Sequence, residues 1–232
     1  MLAFDIETTG LPEAGEDVGI TCAAAVTDAG DIFVWTGAVM NNDMFAPRIS
    51  RLDVAHMVLD LMILGEQHQI VTWNGASFDF KIIYDCLSGI HISRKMTQHL
   101  CANHIDPGFT MFCTRGIMSS LENTSIGFGV KGKSKNMTGL ESISAWNESL
   151  ERQMLVLEYV KNDCAALLRV MNEATKDGGI KWRTKTGNIS FLEFNPLTTV
   201  AEAIKLPPAN TSWMKEPSHF TPKNERVAWM VE

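Results

Sequence analysis

The sequence predicts an α/β layer sandwich in which helices cover a mixed sheet. Strand-like apolar stretches come first, and helical patterns alternate with a further strand after them. Two turn signals favour an antiparallel meander near the start of the chain and a hairpin near its end. One long amphipathic pattern in the second half predicts a helix that covers a face of the sheet.

The first half of the chain supplies the predicted sheet. We predict a strand over residues 1–6 and two more in "VGITCAAAVTDAGDIFVWTG", joined by a turn at residues 28–31. The pattern of residues 47–66 predicts a helix, and the compact stretch "QIVTW" (residues 69–73) predicts a buried strand ended by Asn74-Gly75. The apolar side expected for this helix comprises Leu52, Val58, Leu61, Met62 and Leu64.

The second half supplies most of the predicted helices. Residues 78–87 look helical, and a longer mixed segment follows up to the glycine-rich loop "GFGVKGKS". Residues 149–174 form the clearest helical pattern. "IKWRTKTGNISFLEF" predicts a hairpin around Gly187-Asn188, and a short helix is expected over residues 198–205.

A change in composition divides the chain into two parts. After Pro207-Pro208 the sequence becomes polar, so we predict a domain of residues 1–206 and a C-terminal arm or tail of residues 207–232. Trp213 and Trp229 suggest that this arm packs on the domain or on a partner.

Composition limits the functions that the chain can have. The 232 residues are 45% hydrophobic and 20% charged, as in ordinary globular proteins. With a net charge of −7, nucleic-acid binding would need a local basic patch or metal ions held by acids. Five scattered cysteines favour reduced thiols over a disulfide frame or a zinc site. Since no apolar run could span a membrane and no secretory signal is present, we expect a cytoplasmic protein.

A pair of acids interrupts the first apolar stretch, "LAFDIETTGLP" (residues 2–12). In a strand, Asp5 and Glu7 point to the same side, because side chains alternate between faces. Two neighbouring carboxylates raise each other's pKa, so a cation must offset them unless they lie at a solvated edge. The alternative is a strand end with two exposed acids.

Two later stretches carry further acids. Asp79 lies in "WNGASFDF" (residues 73–80) at a predicted helix start, where it could also simply complement the helix dipole. Tyr159 and Asp163 lie in "LEYVKNDCAALL" (residues 157–168), four residues apart on one helix face. Each of these residues, taken alone, is ordinary for a helix.

The three stretches together resemble the DEDD superfamily of 3′-to-5′ exonucleases, which have the ribonuclease H-like fold. The ending Y-x-x-x-D is similar to the tyrosine branch, and N-G-x-x-F-D-F is most similar to the exonuclease domain of family B DNA polymerases. The histidine branch would place His where this chain has Glu158. The resemblance covers residues 1 to about 172 and includes no polymerase palm motif. It implies a three-layer sandwich and a stand-alone exonuclease or the nuclease subunit of a polymerase or repair complex.

The resemblance also implies a mechanism with two divalent ions, Mg²⁺ or Mn²⁺. Asp5 would bridge both ions, and Tyr159 would orient the attacking water, because a phenol is a poor general base at neutral pH. The implied metal ligands are Asp5, Glu7, Asp79 and Asp163. The residues implied to contact the terminal nucleotide or to line the strand path are Thr8, Leu11, Asn74 and Phe78. For Leu11 and Phe78, core packing is the alternative.

The stretch G-F-G-V-K-G-K-S (residues 127–134) also satisfies the phosphate-binding P-loop pattern. That loop needs a buried strand before it and a helix after it. Here "SSLENTSI" precedes it, which is polar and helix-like, and the following "KNMTGLES" begins no clear helix, so a nucleotide triphosphatase is disfavoured. We expect instead that Lys131, Lys133 and Lys135 contact a nucleic-acid backbone, with Lys133 foremost. A solvated loop is the alternative.

The leading hypothesis is therefore a metal-dependent 3′-to-5′ exonuclease that acts on the 3′ ends of single-stranded DNA or on frayed duplex ends. An exoribonuclease is the first alternative, because nothing in the sequence separates ribose from deoxyribose. A catalytically idle module that binds nucleic acid or a polymerase is disfavoured, since all four acids and the tyrosine are present.

Overall fold

A four-stranded mixed sheet forms the centre of the protein. The computed structural model describes residues 1–12, 17–40, 43–132, 137–212, 214 and 223–231. The strands are β1 (Leu2–Thr8), β2 (Ile20–Thr27), β3 (Ile32–Thr36) and β4 (Ile70–Val71). Their order is β3-β2-β1-β4, with an antiparallel meander of β1, β2 and β3 and with β4 parallel to β1. The predicted α/β sandwich with a mixed sheet is confirmed.

Two strands differ in length from the prediction. β1 runs to Thr8 rather than to residue 6, so both Asp5 and Glu7 lie inside it, opposite Ala24 and Cys22 of β2. β4 covers two residues rather than residues 69–73, because the chain turns away after Val71. Beyond β4 the sheet continues as single bridges through Ile105.

Nine helices are present in the described part of the chain. They are α1 (Arg51–Gln67), α2 (Asp79–Cys86), α3 (His91–Asn103), α4 (Pro107–Arg115), α5 (Leu121–Phe128), α6 (Gly139–Ala145), α7 (Leu150–Asp177), α8 (Val200–Lys205) and α9 (Lys223–Arg226). The segment of mixed character after residue 87 therefore consists mainly of α3, α4 and α5. A short 3₁₀ helix follows at Ala228–Val231.

Helices cover both faces of the sheet, and alternation along β1 assigns each side chain to a face. Leu2, Phe4 and Ile6 pack in the core that contains the buried side of α1 and α2. Ala3 packs in the opposite core, which contains the buried side of α7. By the same alternation, Asp5 and Glu7 face α7.

The prediction for α1 is wrong in two respects, the residue at which the helix begins and one residue of its apolar side. Ser50 caps this helix by accepting a hydrogen bond from the Asp53 backbone N–H, so the helix begins at Arg51 rather than at residue 47. Leu52, predicted on the apolar side, is 62% exposed. The side chains that are buried are Val54, Ala55, Met57, Val58 and Leu61.

The expectation that "KNMTGLES" begins no helix is wrong. Thr138 accepts a hydrogen bond from the backbone N–H of Glu141, and the Glu141 carboxylate accepts one from the Thr138 N–H. This reciprocal capping starts α6 at Gly139 despite the low helix propensity of glycine. α6 packs on β1 and thereby becomes part of the site described below.

The predicted hairpin around Gly187-Asn188 is confirmed as a separate antiparallel pair, β5 (Gly179–Arg183) and β6 (Ile189–Glu193). Gly127 lets α5 pack directly on β5, because a Cβ there would lie 2.6 Å from backbone atoms of Lys181 and Trp182. At the other end of the chain Trp229 is buried beside Tyr84, with ring centroids 5.1 Å apart.

The division into a domain and an arm stays a prediction. Among the described residues, no helix is both long enough and apolar enough to cross a membrane.

Candidate active site

β1 and α7 bring three carboxylates together. Asp5 and Glu7 project from the face of β1 that meets α7, and Asp163 lies on α7 itself. One oxygen from each carboxylate lies within 4.8 Å of the others. Glu7 and Asp163 are buried, and Asp5 is half-buried. Three acids held this close repel one another strongly, so their arrangement favours a bound cation.

The negative charge of this cluster reaches the thiols packed beside it. Burial raises the pKa of Cys164 well above its usual value, and the nearby Asp5 and Asp163 raise it further. Burial likewise raises the pKa of Cys22, with Glu7 as the next largest cause. Both thiols therefore stay protonated at neutral pH.

Glu7 is held in place by a serine that the sequence analysis missed. The hydroxyl of Ser142, a buried residue of α6, donates a hydrogen bond to Glu7 Oε2. The capping pattern of Thr138 and Glu141 could have predicted the helix that carries Ser142. It could not have predicted a contact between residues 135 positions apart.

Asp79 reaches the same strand from another direction. It is the first residue of α2, and its Oδ1 accepts a hydrogen bond of 3.1 Å from the backbone N–H of Ile6, between Asp5 and Glu7. β4 pairs with β1 at Leu2 and Ala3 and ends before Ile6, so the edge of β1 at Ile6 is accessible to Asp79. Asp79 thus lies on β1 beside the cluster, although it does not belong to the group of three close carboxylates.

A buried carboxylate shapes the segment that leads to Asp79. Asp106 is fully buried and accepts hydrogen bonds from the backbone N–H groups of Asn74 (2.9 Å) and Ala76 (3.0 Å). It also caps α4 by accepting from the Phe109 N–H at 2.9 Å. Asn74 has a left-handed backbone with φ of 68°, a conformation that asparagine tolerates better than most residues. The carboxylate therefore fixes the turn that the N-G pair begins.

A buried histidine supports the same turn. The Nδ1 of His104 lies 2.7 Å from the carbonyl oxygen of Cys101 and must donate to it, so Nε2 accepts from the Thr72 hydroxyl at 2.9 Å. Thr72 Oγ1 in turn accepts from the Gly75 N–H at 3.1 Å. A Cβ at residue 75 would lie 2.2 Å from that oxygen, which explains the glycine. Neither His104 nor Asp106 was among the residues predicted from the sequence.

Burial shifts the pKa values of these two groups in opposite directions. It lowers the pKa of His104 to about 4, so the imidazole is neutral at pH 7. It raises the pKa of Asp106 to about 6, and the backbone N–H donors of Phe109, Ala76 and Asn74 limit the rise. The His104 Nε2 lies 3.9 Å from the Asp106 Oδ2.

The remaining predicted site residues differ in how deeply they are buried. Tyr159 is buried one helical turn before Asp163 and packs in the core beneath α7. The hydroxyl of Thr8 donates to the Gly10 carbonyl oxygen at 2.7 Å, closing the turn after β1. Leu11 is 43% exposed beyond that turn, and Phe78 immediately precedes α2 and packs partly against the core. These positions leave their expected roles as predictions.

The glycine-rich stretch lacks the arrangement of a P-loop. Gly127 and Phe128 are the last residues of α5, and Gly129 ends that helix with a left-handed backbone. A helix therefore stands where a P-loop needs a buried strand. Lys131 is exposed. Lys133 and Lys135 lie outside the described residues.

A cavity of about 440 Å³ opens beside the carboxylates. Asp5 and Asp163 line it on one side, and Trp73 and Asn74 line it on another. The Trp73 indole N–H donates to the carbonyl oxygen of Ser119 at 3.0 Å and so closes the wall. The volume is within the range of about 300–1,000 Å³ that is common for small-molecule sites.

The donor set fits a hard divalent cation. Carboxylate oxygens are the ligands that Mg²⁺ and Mn²⁺ prefer, and a partly exposed Asp5 leaves an open side toward the cavity. The residues that could hold such ions are Asp5, Glu7 and Asp163, with Asp79 next to them.

Comparison with known proteins gives a family and a fold. The model of the RNase_H superfamily matches residues 2–175, a span that includes β1 and nearly all of α7. A solved structure with a similar fold is the family B DNA polymerase from the hyperthermophilic archaeon Pyrobaculum calidifontis, with a TM-score of 0.56 and 17% sequence identity. The similarity covers 75% of this chain and 24% of the polymerase chain, and at this identity it shows the fold alone. No curated protein matches the sequence.

Proposed function

The chain belongs to the RNase_H superfamily, and from this premise we propose that it is a metal-dependent 3′-to-5′ exonuclease acting on single-stranded DNA or frayed duplex ends. The observation that carries the proposal is the approach of Asp5, Glu7 and Asp163 to within 4.8 Å of one another from distant parts of the chain. The order and spacing of the motifs, with Asp79 beside β1, support the 3′-to-5′ polarity by resemblance to the DEDD exonucleases.

The chain's own residues would divide the work as follows. Asp5, Glu7 and Asp163 would hold divalent ions, and Ser142 would fix the orientation of Glu7 through its hydrogen bond. Two bound ions would supply a nucleophile from water and stabilise the leaving 3′-oxygen. Asp79 would complete the ligand set, and the Tyr159 hydroxyl would orient the attacking water.

The substrate's terminal nucleotide would occupy the cavity beside Asp5 and Asp163. Asn74 and Trp73 line that cavity and offer polar and aromatic contacts to an unpaired nucleotide. Thr8 and Leu11 are proposed to contact the terminal nucleotide near the exit of β1, Phe78 to line the strand path, and Lys133 to contact its backbone. The chain would work alone or as the nuclease subunit of a polymerase or repair complex.

The test uses single strands labelled at the 3′ or the 5′ end, as DNA and as RNA, with Mg²⁺, Mn²⁺ or EDTA. We expect the 5′-labelled strand to give a ladder that shortens with time, and EDTA to stop it. Asp5→Asn should lower the rate by at least about 1,000-fold, since it removes a proposed metal ligand. Glu151→Gln, an exposed position at the start of α7, is the matched control and should leave the rate unchanged.

A different result would contradict each part of the proposal, namely the metal site, the polarity and the substrate. Activity that survives in Asp5→Asn would remove the assignment of the metal site. Early release of a 5′-terminal label as a single nucleotide would reverse the polarity. Faster cleavage of RNA than of DNA would make the chain an exoribonuclease, with the same site and mechanism.

A further inference from the structure

A second, larger cavity adjoins the acidic site and is positively charged. It has a volume of about 1,210 Å³ and lies between the turn after α4 and the β5–β6 hairpin. Four basic residues line it: Arg115, Arg183, Lys185 and Arg226. The described residues that form its wall include no Asp or Glu. We call this cavity the basic groove. In a chain with a net charge of −7, such a concentration of cations favours an anionic ligand.

The basic groove borders the cavity at the carboxylates. Met118, Ser119 and Ser120 line both. Met118 and Ser120 are exposed, so a ligand that begins beside Asp5 and Asp163 would reach the groove across these residues. The fold thus places a site suited to metal ions next to a cationic groove.

Two of the cations of the groove, Arg183 and Arg226, contact neutral or aromatic neighbours. Arg183 donates from Nε and Nη2 to the Asn123 side-chain oxygen, at 3.3 and 3.2 Å, which ties the hairpin to α5. The guanidinium carbon of Arg226 lies 4.1 Å from the centroid of the Phe112 ring. Neither contact neutralises the positive charge, and Lys185 is exposed on the hairpin turn.

Arg226 gives a second indication that an anion belongs here. Its Nε is buried and has no hydrogen-bond partner among the described residues. A buried guanidinium N–H without an acceptor costs free energy, and a phosphate oxygen in the groove would supply one. Partial burial lowers the pKa of Arg226 from its usual value, although an arginine stays charged at neutral pH.

We propose that the basic groove binds the phosphodiester backbone of the nucleic-acid strand whose end lies at Asp5 and Asp163. The inference rests on the proposed function in one respect, namely that the strand's end occupies the acidic site. Phosphate groups repeat along a strand at a fixed spacing, so a channel with several cations binds a longer strand more tightly than a short one. Binding in the groove therefore predicts a dependence on strand length that starts beyond the terminal nucleotide.

The first experiment measures binding in EDTA, where hydrolysis is absent, by fluorescence anisotropy of labelled single-stranded DNA roughly 16 nucleotides long. Lys185→Glu should weaken binding about tenfold at low salt. Lys185→Gln should lower the slope of log affinity against log salt by about 0.7, as expected for one lost phosphate contact on a single strand. Lys95→Glu makes the same charge change as Lys185→Glu at an exposed position of α3 and should alter affinity less than about twofold. Thermal unfolding of each variant checks that it folds.

The second experiment compares hydrolysis of a dinucleotide with that of the longer strand. For Lys185→Glu, KM for the longer strand should rise about tenfold with kcat unchanged, whereas both constants for the dinucleotide stay at wild-type values. Weakened binding by Lys185→Glu without any hydrolysis by the wild-type chain would support the groove and count against the proposed function. If the wild type and Lys185→Glu both hydrolyse the longer strand with identical affinity and KM, the proposed role of the groove is overturned and the proposed function stays intact.

Discussion

Negative charge is arranged in two different ways in this protein, at Asp106 and at the acidic site. Asp106 is a single carboxylate surrounded by backbone N–H donors from Asn74, Ala76 and Phe109. The acidic site instead gathers three carboxylates within 4.8 Å. One buried charge can be satisfied by the backbone, but three adjacent charges call for a cation. Asp106 therefore shapes the backbone around it, whereas the three clustered carboxylates are suited to binding a metal ion.

The largest expected effect concerns the pH dependence around Asp106 and His104. The pKa of His104 is lowered to about 4 on folding, so its contribution to stability is present above pH 6.5 and is lost as the pH falls through about 4. The pKa of Asp106 is raised to about 6, so its contribution is present below pH 3.8 and is lost as the pH rises through about 6. The two contributions run in opposite directions and nearly cancel between pH 4 and 6.5.

Removing one partner should expose the contribution of the other. Urea unfolding measures the free energy of unfolding of each variant relative to wild type. As the pH falls from 6.5 to 4, this difference should rise by on the order of 3 kcal/mol for His104→Gln, because the wild type loses the histidine contribution. As the pH falls from about 6 to 4, it should drop by a similar amount for Asp106→Asn. Parallel pH profiles for the wild type and both variants would mean that this pair does not titrate as described.

A smaller effect should come from metal binding. With Mg²⁺ at about 100 times its dissociation constant, the free energy of unfolding of the wild type should rise by about 2.7 kcal/mol, because the folded cluster binds the ion. Thermal unfolding with and without Mg²⁺ measures this. Asp5→Asn should lose most of the gain and Asp106→Asn should retain it. An equal gain in all three chains, or none in the wild type with either Mg²⁺ or Mn²⁺, would contradict a metal site at the cluster.

The smallest effect is expected at Ser142. Ser142→Ala removes the hydrogen bond to Glu7 and should lower stability by about 1 kcal/mol and Mg²⁺ affinity by about tenfold. Ser144→Ala, an exposed position on the same helix, is the control and should change neither. Calorimetric titration with Mg²⁺ measures the affinity. Unchanged affinity in Ser142→Ala would limit the role of this serine to packing.

The parts of the site that follow from local periodicity could be predicted from the sequence. Alternation along a strand placed Asp5 and Glu7 on one face, and the helical repeat placed Tyr159 and Asp163 on one side of a helix. Both relations hold whenever the element forms. They are insensitive to small errors in its ends, such as the two residues by which β1 exceeds the prediction.

The supporting contacts could not be predicted in the same way. Asp106 before Pro107 and the capping pattern at Thr138 both indicate helix starts. These signals nevertheless carry no information about which distant group each helix meets. The contacts of Asp106 with Asn74 and of Ser142 with Glu7 depend on packing between elements. The same holds for Leu52, which the helical pattern of α1 alone could not place in solvent.

The contact of Trp229 with the turn before α2 has a practical consequence for anyone who shortens or tags this protein. Its indole N–H donates to the carbonyl oxygen of Ala76, at 3.3 Å, three residues before Asp79. The last turn of the described chain therefore supports the turn that leads to a proposed catalytic acid, Asp79. An expression boundary placed before Val227 would remove that contact, and a fusion partner joined directly after Trp229 would crowd it.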